Sequence, residues 1–319
     1  MPRTIGLCYA YIDSDVRKRI IKAAPGFEVI DLGKDCTDEE LGRCEVIFGR
    51  LDPKRISATQ NLRWFHAETA GMDMYFKDGA ALPESVILTS SSGAYGIAIS
   101  EHLLTLAMML MRRMPAYFVN QQNRVWRPEG KQKTIYGSDV TVVGLGDIGR
   151  NFAERAHHLG ARVTAVTRTE KKERPPYIGR LFTTEELDEA LRDADIVALC
   201  LPQTPETVRL LGRERFERMK DGAILLNAGR GSAIDEGALI GALESGRLGG
   251  AGLDVTSVEP LPKDSKLWGF PNVVLTPHIS GADSVDLTLD LLVEKFIAYL
   301  EDYIAGRPFE RTVDRSAGY

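Results

Sequence analysis

A glycine-rich turn at residues 144–149 constrains the fold of this chain more than any other feature. The apolar run from Val140 to Val143 leads into Gly144-Leu145-Gly146-Asp147-Ile148-Gly149, which is typical of a strand, a tight turn and the start of a helix. In a dinucleotide-binding turn, the first glycine turns the chain, the second lets a pyrophosphate approach the backbone, and the third lets helix and strand pack closely. The N-terminus of the helix then presents N–H groups and a partial positive charge to the phosphates. All six residues of the turn are therefore candidate cofactor contacts.

Composition limits the classes of function. The chain has 319 residues, of which 44% are hydrophobic and 27% charged, as is usual for a globular protein large enough for two domains. The formal net charge of −5 argues against a nucleic-acid-binding protein. The apolar stretch from Leu103 to Met111 is far shorter than the roughly 20 residues needed to span a bilayer, so we predict no membrane contact. No cluster with metal-ligand spacing is evident, and we predict no metal.

The cysteines and the N-terminal residues indicate the cellular compartment in which the protein is expected. The four cysteines lack CxxC spacing, and the first ten residues run directly into a strand-like segment without a signal-peptide pattern. We therefore expect reduced thiols and a cytoplasmic location.

The chain alternates short apolar segments with polar, helix-like ones, an arrangement typical of parallel sheets wrapped by helices. We predict strands at 4–9, 27–31, 46–48, 61–66, 86–89, 140–143, 162–167, 196–201, 223–227, 251–255 and 273–275. We predict helices from 38 onward and at 15–23, 101–114, 148–159, 185–192, 214–219, 236–245 and 284–303. Ser100 is the expected N-cap of the helix at 101–114, Pro115 marks its expected end, and Gly160 is the expected left-handed cap of the helix at 148–159.

Polar residues follow three predicted strands in the second half of the chain. Arg230 lies between two glycines just after one strand, and its planar fork suits a carboxylate; a surface arginine that caps the loop is the alternative. Glu259 and His278 follow the next two strands, and ligands sit beyond the carboxyl ends of parallel strands. A carboxylate that bonds one imidazole nitrogen fixes the tautomer and leaves the other nitrogen to exchange a proton with a substrate. The other histidines are predicted to be structural: His66, His102, His157 and His158.

With these residues the chain resembles the D-isomer-specific 2-hydroxyacid dehydrogenase family. The resemblance extends over nearly the whole chain. Arg230, Glu259 and His278, separated by 29 and 19 residues, suit the order of Arg, Glu and His in that family. The motifs are AGMD at 70–73, ISEHLLTLAMML at 99–110, GLGDIG at 144–149, LPQTPET at 201–207, MKDGAILLNAGRG at 219–231, GLDV with EP at 252–260 and PNVVLTPH at 271–278.

The resemblance implies the architecture. We expect two Rossmann-like or flavodoxin-like domains, each with a doubly wound parallel sheet. A cofactor domain at 99–283 is inserted into a substrate domain made of 1–98 and 284–319, with the active site in the cleft between them. The resemblance also implies a homodimer formed through the helix at 99–114 and the following arm, Asn120 to Lys133. An ordinary mobile loop is the alternative for that arm.

The resemblance further implies an NAD(P)H-dependent reduction of a small 2-oxo acid. Hydride passes from the reduced nicotinamide to C2 of the substrate while His278, supported by Glu259, protonates the carbonyl oxygen. The carboxylate is held by Arg230 and by the backbone N–H groups of Ala70 and Gly71. Tyr95 either closes over a small substrate or packs between the domains. Further cofactor contacts are expected from Pro202, Thr207, Ala228 and Asp254, the last of these to the nicotinamide carboxamide.

The end of the second strand of the cofactor domain favours NADP. An NAD site places an acid there to bond the ribose hydroxyls. Here Thr167-Arg168-Thr169 ends the strand, with Lys171 and Lys172 beyond, and this set suits a 2′-phosphate. The alternative is that Glu170 serves as the acid, which would make NAD(H) the cofactor.

The leading hypothesis is thus an NADPH-dependent reductase of glyoxylate or hydroxypyruvate. A phosphoglycerate-type dehydrogenase is an alternative, although a chain of 319 residues is expected to lack the C-terminal regulatory domain that many such enzymes carry. A dinucleotide-sensing corepressor is a second alternative from another class, since such proteins can keep the Arg, Glu and His set.

Overall fold

The computed structural model describes residues 2–9, 12–33, 36–76, 82–170, 173–281 and 285–315. The chain divides into two compact units. The first unit comprises residues 1–95 and 283–319, and the second comprises residues 96–282. Each unit contains one parallel sheet, so the predicted class of two parallel-sheet α/β domains is confirmed.

The elements alternate along the chain as the hydrophobic pattern indicates. The strands are β1 (Arg3–Cys8), β2 (Phe27–Asp31), β3 (Val46–Gly49), β4 (Trp64–Ala67), β5 (Ile87–Ser90), β6 (Asp139–Val143), β7 (Arg162–Thr167), β8 (Arg180–Thr183), β9 (Ile196–Leu199), β10 (Ala223–Asn227), β11 (Leu248–Leu253) and β12 (Val273–Leu275). The α-helices are α1 (Ser14–Ala23), α2 (Asp38–Arg43), α3 (Pro53–Ala58), α4 (Gly96–Met111), α5 (Met114–Gln122), α6 (Asp147–His158), α7 (Leu187–Arg192), α8 (Arg213–Arg218), α9 (Glu236–Glu244) and α10 (Asp286–Ile304).

The sheet of the first unit has the strand order β2-β1-β3-β4-β5. Its register places Gly49 of β3 opposite Ala67 of β4, so the loops after these strands begin side by side. The long helix α10 packs on one face of this sheet. The ring of Phe296 stacks on that of Phe48 at 4.3 Å, and on that of Trp64 at 5.4 Å between centroids. All three rings are fully buried, and burial of each contributes roughly 1.5–3 kcal/mol to the stability of this unit.

The sheet of the second unit has the strand order β12-β11-β10-β9-β6-β7-β8. The order changes direction between β6 and β9, because β7 and β8 extend the sheet on one side and β10 to β12 extend it on the other. Ligands of doubly wound sheets bind at the carboxyl ends of the strands at such a switch point. The glycine turn follows β6 and therefore lies at this point.

The helix that begins the second unit differs from its prediction. Ser100 is not an N-cap, because α4 starts at Gly96 and Ser100 is buried inside it, with its hydroxyl donating to the Ile97 carbonyl at 2.8 Å. Pro115 does not end the helix either. It lies in the first turn of α5, where its missing N–H has no helical acceptor to lose. The apolar periodicity of α4 begins before Ser100, and this outweighs the capping preference of serine.

Three elements, α3, α5 and β8, are absent from the prediction. The left-handed conformation expected of Gly160, in contrast, is confirmed by its φ of +87°. In the described ranges no helix is long and apolar enough to cross a membrane. Nor, in those ranges, do three or more His, Cys, Asp or Glu side chains form a group able to hold a metal ion.

The four cysteines are free thiols. Burial raises the pKa of Cys8 to about 11 and the pKa values of Cys44 and Cys200 to about 12. These three thiols therefore stay protonated and unreactive near neutral pH.

Candidate active site

The glycine turn combines tight packing with one open position. Gly144 has a φ of +97°, and a Cβ there would lie 2.6 Å from the carbonyl oxygen of Cys200. A Cβ at Gly149 would lie 1.9 Å from the carbonyl oxygen of Gly144. A Cβ at Gly146, in contrast, would meet no atom of the described chain within 4 Å. The first and third glycines are thus required by packing, whereas Gly146 leaves the backbone accessible, as a pyrophosphate needs.

The N-terminus of α6 adds the charge that an anion needs. Gly146 is its N-cap and has no side chain with which to bond the first N–H groups of the helix. The carboxylate of Asp147 turns along the helix, where its Oδ1 accepts from Nδ2 of Asn151 at 3.2 Å. The side chain of Leu145 is buried and that of Ile148 is half-buried. The turn therefore fits a dinucleotide, because the first N–H groups of α6 have no side-chain cap while the apolar side chains anchor the loop.

The segment after β7 carries the residues expected to select the cofactor. Thr167 is buried, and its hydroxyl donates to the carbonyl of Thr169 at 3.0 Å, which fixes the turn between them. Arg168, at the middle of that turn, is exposed. Hydrogen bonds from the Thr204 hydroxyl and from a backbone N–H lower the pKa of the Glu206 carboxyl, and the positive charge of Arg168 lowers it further. Glu206 is thus an acidic neighbour of Arg168 that the sequence did not single out.

The residues 202–207 form a turn held together by one hydroxyl. Thr207 donates from its Oγ1 to the carbonyl of Pro202 at 2.8 Å and accepts from the N–H of Thr204, also at 2.8 Å. Thr207 therefore shapes the turn that presents Pro202. Ala228, just after β10, is buried.

The loop that carries Arg230 passes closely between neighbouring segments of the chain. This is possible because small residues flank the arginine. Cβ atoms at Gly229 and Gly231 would lie 2.7 Å and 2.0 Å from backbone atoms of adjoining segments. The loop is braced by Asn227, whose Nδ2 donates to the Arg230 carbonyl at 3.0 Å and whose Oδ1 accepts from the Gly229 N–H at 3.0 Å. Asn227 is fully buried, so it acts as a fixed template for the position of the arginine.

His278 and Glu259 form a hydrogen-bonded pair. Nδ1 of His278 lies 2.8 Å from Oε2 of Glu259, and Oε1 of the same carboxylate accepts from the Thr256 N–H at 3.0 Å. The imidazole is 51% exposed, so its Nε2 is the nitrogen left for a substrate. The backbone of His278 has a φ of +54°, a left-handed conformation that is strained for a histidine.

A buried carboxylate holds His278 in that conformation. Asp254 accepts four hydrogen bonds: from the Thr276 hydroxyl at 2.6 Å, the Ile279 N–H at 2.9 Å, and the N–H and hydroxyl of Ser280 at 3.1 Å and 2.5 Å. Its carbonyl accepts from the His278 N–H at 2.8 Å. Burial alone would raise the pKa of Asp254, but the hydrogen bonds hold it below its ordinary value. With four donors already in place, a nicotinamide carboxamide could bond this carboxylate only by displacing one of them.

His102 extends this network from α4. Its Nε2 lies 3.0 Å from the Thr276 hydroxyl, whose single proton is given to Asp254. The imidazole must therefore donate from Nε2. Burial lowers the pKa of His102, so the ring is a neutral donor with a defined tautomer. His102 has a structural role here, as the sequence predicted, but it acts on the loop that carries His278.

The loop at 68–71, whose N–H groups the sequence predicts to bind the substrate carboxylate, lies in the first unit. The Tyr95 hydroxyl donates to the Glu68 carbonyl at 2.6 Å, and the Thr69 hydroxyl donates to the Gly71 carbonyl at 2.8 Å. Within the described part of the chain, no group accepts a hydrogen bond from the N–H of Ala70 or Gly71. Tyr95 therefore anchors this loop, and the two N–H groups are available to an anion.

The three residues expected to carry the chemistry follow three neighbouring strands of the second sheet. Arg230 follows β10, Glu259 follows β11 and His278 follows β12. The structure also shows four residues with supporting contacts that the sequence did not predict: Asn227, Asp254, His102 and Glu206. A signal existed for Asn227, because asparagine before Ala-Gly commonly bonds the backbone two residues on. The contacts of Asp254 and His102 join segments far apart in the sequence and left no local pattern.

Comparisons with known proteins agree with this geometry. Residues 104–280 match the family model described as D-isomer specific 2-hydroxyacid dehydrogenase, NAD binding domain. A glyoxylate/hydroxypyruvate reductase B from Escherichia fergusonii is 34% identical over 253 residues, which cover 76% of this chain and 77% of that protein. A D-3-phosphoglycerate dehydrogenase from Archaeoglobus fulgidus is 30% identical over 267 residues, which cover 83% of this chain but 48% of that protein. The chain thus spans about half the length of the phosphoglycerate dehydrogenases it matches.

A solved structure gives the same result. An NADPH-dependent glyoxylate/hydroxypyruvate reductase from Sinorhizobium meliloti, in complex with NADP and sulfate, has a TM-score of 0.85 and is 26% identical. The match covers 99% of this chain and all of that one.

The two kinds of glycine in the turn separate stability from cofactor binding. We expect Gly146→Ala to keep the thermal unfolding temperature of the protein but to weaken dinucleotide affinity by tenfold or more, since the added methyl enters only the open space that a pyrophosphate approaches. The measurements are Tm by differential scanning calorimetry and Kd by cofactor fluorescence.

Gly241→Ala in α9 is the matched control, because its Cβ also meets open space but lies in a helix away from the turn. It should leave cofactor affinity unchanged. An unaltered Kd for Gly146→Ala would contradict the assignment of the turn.

Proposed function

This chain belongs to the D-isomer-specific 2-hydroxyacid dehydrogenase family, and we propose that it reduces small 2-oxo acids, glyoxylate or hydroxypyruvate above all, to D-2-hydroxy acids with NADPH. The observation that carries the proposal is the hydrogen-bonded pair of His278 and Glu259, which leaves one imidazole nitrogen free. His278 follows β12, and the loop that carries Arg230 follows β10, two strands away in the same sheet. The arrangement suits proton donation to a carbonyl oxygen next to a carboxylate.

The dinucleotide would be held by the second unit. We assign its pyrophosphate to Gly146 and the N-terminus of α6, and its adenosine end to the segment after β7. The turns carrying Pro202 and Ala228 flank the same carboxyl edge of the sheet and would line the rest of the cofactor. When bound, NADPH supplies the hydride.

His278 acts as the proton donor. Its Nδ1 faces Glu259, so a protonated ring has its second proton on Nε2, directed away from the carboxylate. The negative charge of Glu259 stabilises the imidazolium before transfer and leaves a neutral ring with a fixed tautomer afterwards. The Asp254 network keeps the ring oriented through both states, because it bonds the backbone on either side of His278.

Arg230 binds the substrate carboxylate. Two parallel N–H groups of a guanidinium match two carboxylate oxygens, and the Asn227 brace fixes the backbone from which the side chain extends. The N–H groups of Ala70 and Gly71 have the same chemistry and are assigned to the same carboxylate. Orientation by several donors places C2 of a 2-oxo acid in one position relative to the proton donor.

The choice of NADPH rests on Arg168. A carboxylate at the end of β7 would repel a 2′-phosphate, and the position holds Thr167 and an exposed arginine instead. Glu170, the alternative acid, is exposed, while Lys171 and Lys172 lie outside the described residues. The Sinorhizobium meliloti reductase, whose whole chain is covered by the match, is NADPH-dependent.

We also propose that the enzyme is cytoplasmic, because its four cysteines are free thiols rather than paired in disulfides. The apolar side chains exposed around α4, α5 and the arm support a homodimer: Met108, Phe118, Val119, Val125 and Trp126. Trp126 is fully exposed, and a large aromatic residue in that state is typical of an interface.

Turnover of a substrate panel tests the proposal. We expect oxidation of NADPH, followed at 340 nm, with glyoxylate and hydroxypyruvate, and weaker activity with bulkier 2-oxo acids. His278→Ala should lower kcat by about 10²–10⁴-fold, the usual contribution of a general acid, and leave NADPH affinity nearly unchanged.

Two outcomes would redirect the assignment. Activity that survives in His278→Ala would mean that another group donates the proton. Tight NADPH binding without turnover of any 2-oxo acid would favour the dinucleotide-sensing class, and preference for phosphorylated acids would favour a phosphoglycerate-type enzyme.

The cofactor preference has its own test. We expect Arg168→Ala to raise KM for NADPH by about tenfold or more and KM for NADH little, since the 2′-phosphate alone loses a charged hydrogen bond. Arg180→Ala, on the neighbouring strand β8, is a control arginine at the opposite end of its strand from the ligand edge. A clear preference of the unmodified protein for NADH would refute NADPH as the cofactor.

Oligomeric state tests the homodimer. Light scattering after size-exclusion chromatography should give twice the chain mass of 35.2 kDa. Val119→Asp should shift the protein toward monomer, because it places a charge in the apolar face. Val208→Asp, at a valine of similar exposure elsewhere in the second unit, should leave the mass unchanged. A monomer without any substitution would contradict the proposal.

A further inference from the structure

A buried histidine in the first unit has no part in the proposed chemistry. His66 lies in β4 and is completely buried, with its ring 5.5 Å from those of Phe48 and Tyr299 and 5.6 Å from that of Phe296. Burial, and then the positive charge of Lys295, lower its pKa to about 3. The imidazole is therefore neutral at any working pH, and a neutral ring must have one donor and one acceptor nitrogen.

The hydrogen bonds around His66 allow a single assignment. The Ser91 hydroxyl gives its proton to the Ala67 carbonyl at 2.9 Å, so Nε2–H of His66 must donate to Ser91 at 3.1 Å. Nδ1 is then the acceptor, and the Thr89 hydroxyl donates to it at 2.6 Å. Thr89 in turn accepts from Nε1–H of Trp64 at 2.8 Å. The bonds run in one direction, from the indole of Trp64 to the backbone carbonyl of Ala67.

We call this series of hydrogen bonds, from Trp64 to Ala67, the relay. It ends at the residue that immediately precedes the loop at 68–71. Ala67 is the last residue of β4, and its carbonyl accepts from both the hydroxyl and the N–H of Ser91. The Ser91 N–H also lies 3.1 Å from the carbonyl of Thr69. Ser91 thus clamps the two residues that flank Glu68, and His66 fixes the hydroxyl of Ser91.

The clamp determines which backbone groups the loop presents. The carbonyls of Ala67, Glu68, Thr69 and Gly71 each accept a hydrogen bond from within the first unit. Because the Thr69 carbonyl and the Ala70 N–H belong to one planar trans peptide group, the bond from Ser91 to that carbonyl turns the Ala70 N–H the opposite way. In the described ranges no acceptor is bonded to the N–H groups of Ala70 and Gly71, so both remain available to a ligand.

We propose that His66 is a positioning residue for the substrate carboxylate, which it serves through Ser91 by fixing the loop that presents the Ala70 and Gly71 N–H groups. The inference rests on the proposed function, because it assigns those groups to a 2-oxo acid. Preorganised donors bind an anion without paying the reorganisation of a mobile loop, so loosening the relay weakens substrate binding first. The cofactor turn lies in the other unit and its glycine packing does not involve this relay.

Substitutions at His66 separate positioning from packing. His66→Leu removes both polar contacts, whereas His66→Gln keeps an amide that can accept from Thr89 and donate to Ser91. We expect His66→Leu to raise KM for glyoxylate by about tenfold or more, as for loss of hydrogen bonds to a charged group, with Kd for NADPH unchanged. His66→Gln should recover most of that loss. Amide hydrogen exchange of the peptide at 66–72 should be faster in His66→Leu. The Glu68 N–H is bonded to the Gly49 carbonyl and lies between the two residues that Ser91 clamps, so this bond should open more often when the clamp is loosened.

A matched control and a second variant complete the design. Thr141→Val removes a buried hydroxyl that donates to the Ala190 carbonyl at 2.8 Å in the second unit, so it should lower Tm without affecting KM for glyoxylate or the exchange of 66–72. Where His66→Leu fails to fold, Ser91→Ala, which cuts the last link alone, takes its place.

The outcomes distinguish the two proposals. An unchanged KM and unchanged exchange in a folded His66→Leu or Ser91→Ala would overturn the positioning role while the enzyme remains active. An equal rise of KM in Thr141→Val would do the same, because it would reduce the effect to general destabilisation. Absence of turnover in the unsubstituted protein would overturn the proposed function, and with it the assignment of a carboxylate to this loop.

Discussion

The geometry of the candidate site depends on one buried carboxylate. Asp254 accepts four hydrogen bonds from the segment at 276–280 and so determines where His278 can be. A histidine in the left-handed region is unfavourable by itself, and it persists when the surrounding contacts over-determine it. Here those contacts come from both sides, since the Asp254 carbonyl also accepts from the His278 N–H. The ionised state of Asp254 is what these donors stabilise, so the position of His278, the proposed proton donor, depends on a charge that is itself buried.

The two units solve related problems with the same sheet architecture. In each, parallel strands deliver their loops to one edge, and the order of strands reverses once. The second unit uses glycines at that edge, because backbone must approach backbone and ligand closely. The first unit instead uses small polar side chains, Thr89 and Ser91, to direct the carbonyls of a loop. In both cases the groups offered to an anion are backbone N–H groups, whose positions are set by covalent geometry rather than by flexible side chains.

Much of this arrangement follows from local sequence patterns. Alternating apolar segments predicted the strands and the parallel sheets. The glycine pattern predicted a tight turn between strand and helix, because a Cβ at Gly144 or Gly149 would strike backbone atoms. The positions of Arg230, Glu259 and His278 after successive strands were also predicted from the sequence. The start of α4 was predicted wrongly because the buried environment of Ser100 is a tertiary property. The Asp254 and His66 networks could not be predicted from the sequence for the same reason. They join residues from different strands, and the spacing of residues along the chain does not determine which side chains meet.

The single direction of the His66 relay has a consequence for how this protein can change. Each hydrogen donated along the relay from Trp64 to Ala67 has one acceptor, so reversing or removing any one of these bonds leaves a neighbour unpaired in a fully buried place. A lone replacement at any of these positions is therefore costly, whereas a compensated pair can be neutral. Divergence at these positions should proceed by coordinated steps, and the identity of the residue at 66 should depend on the genetic background at 89 and 91.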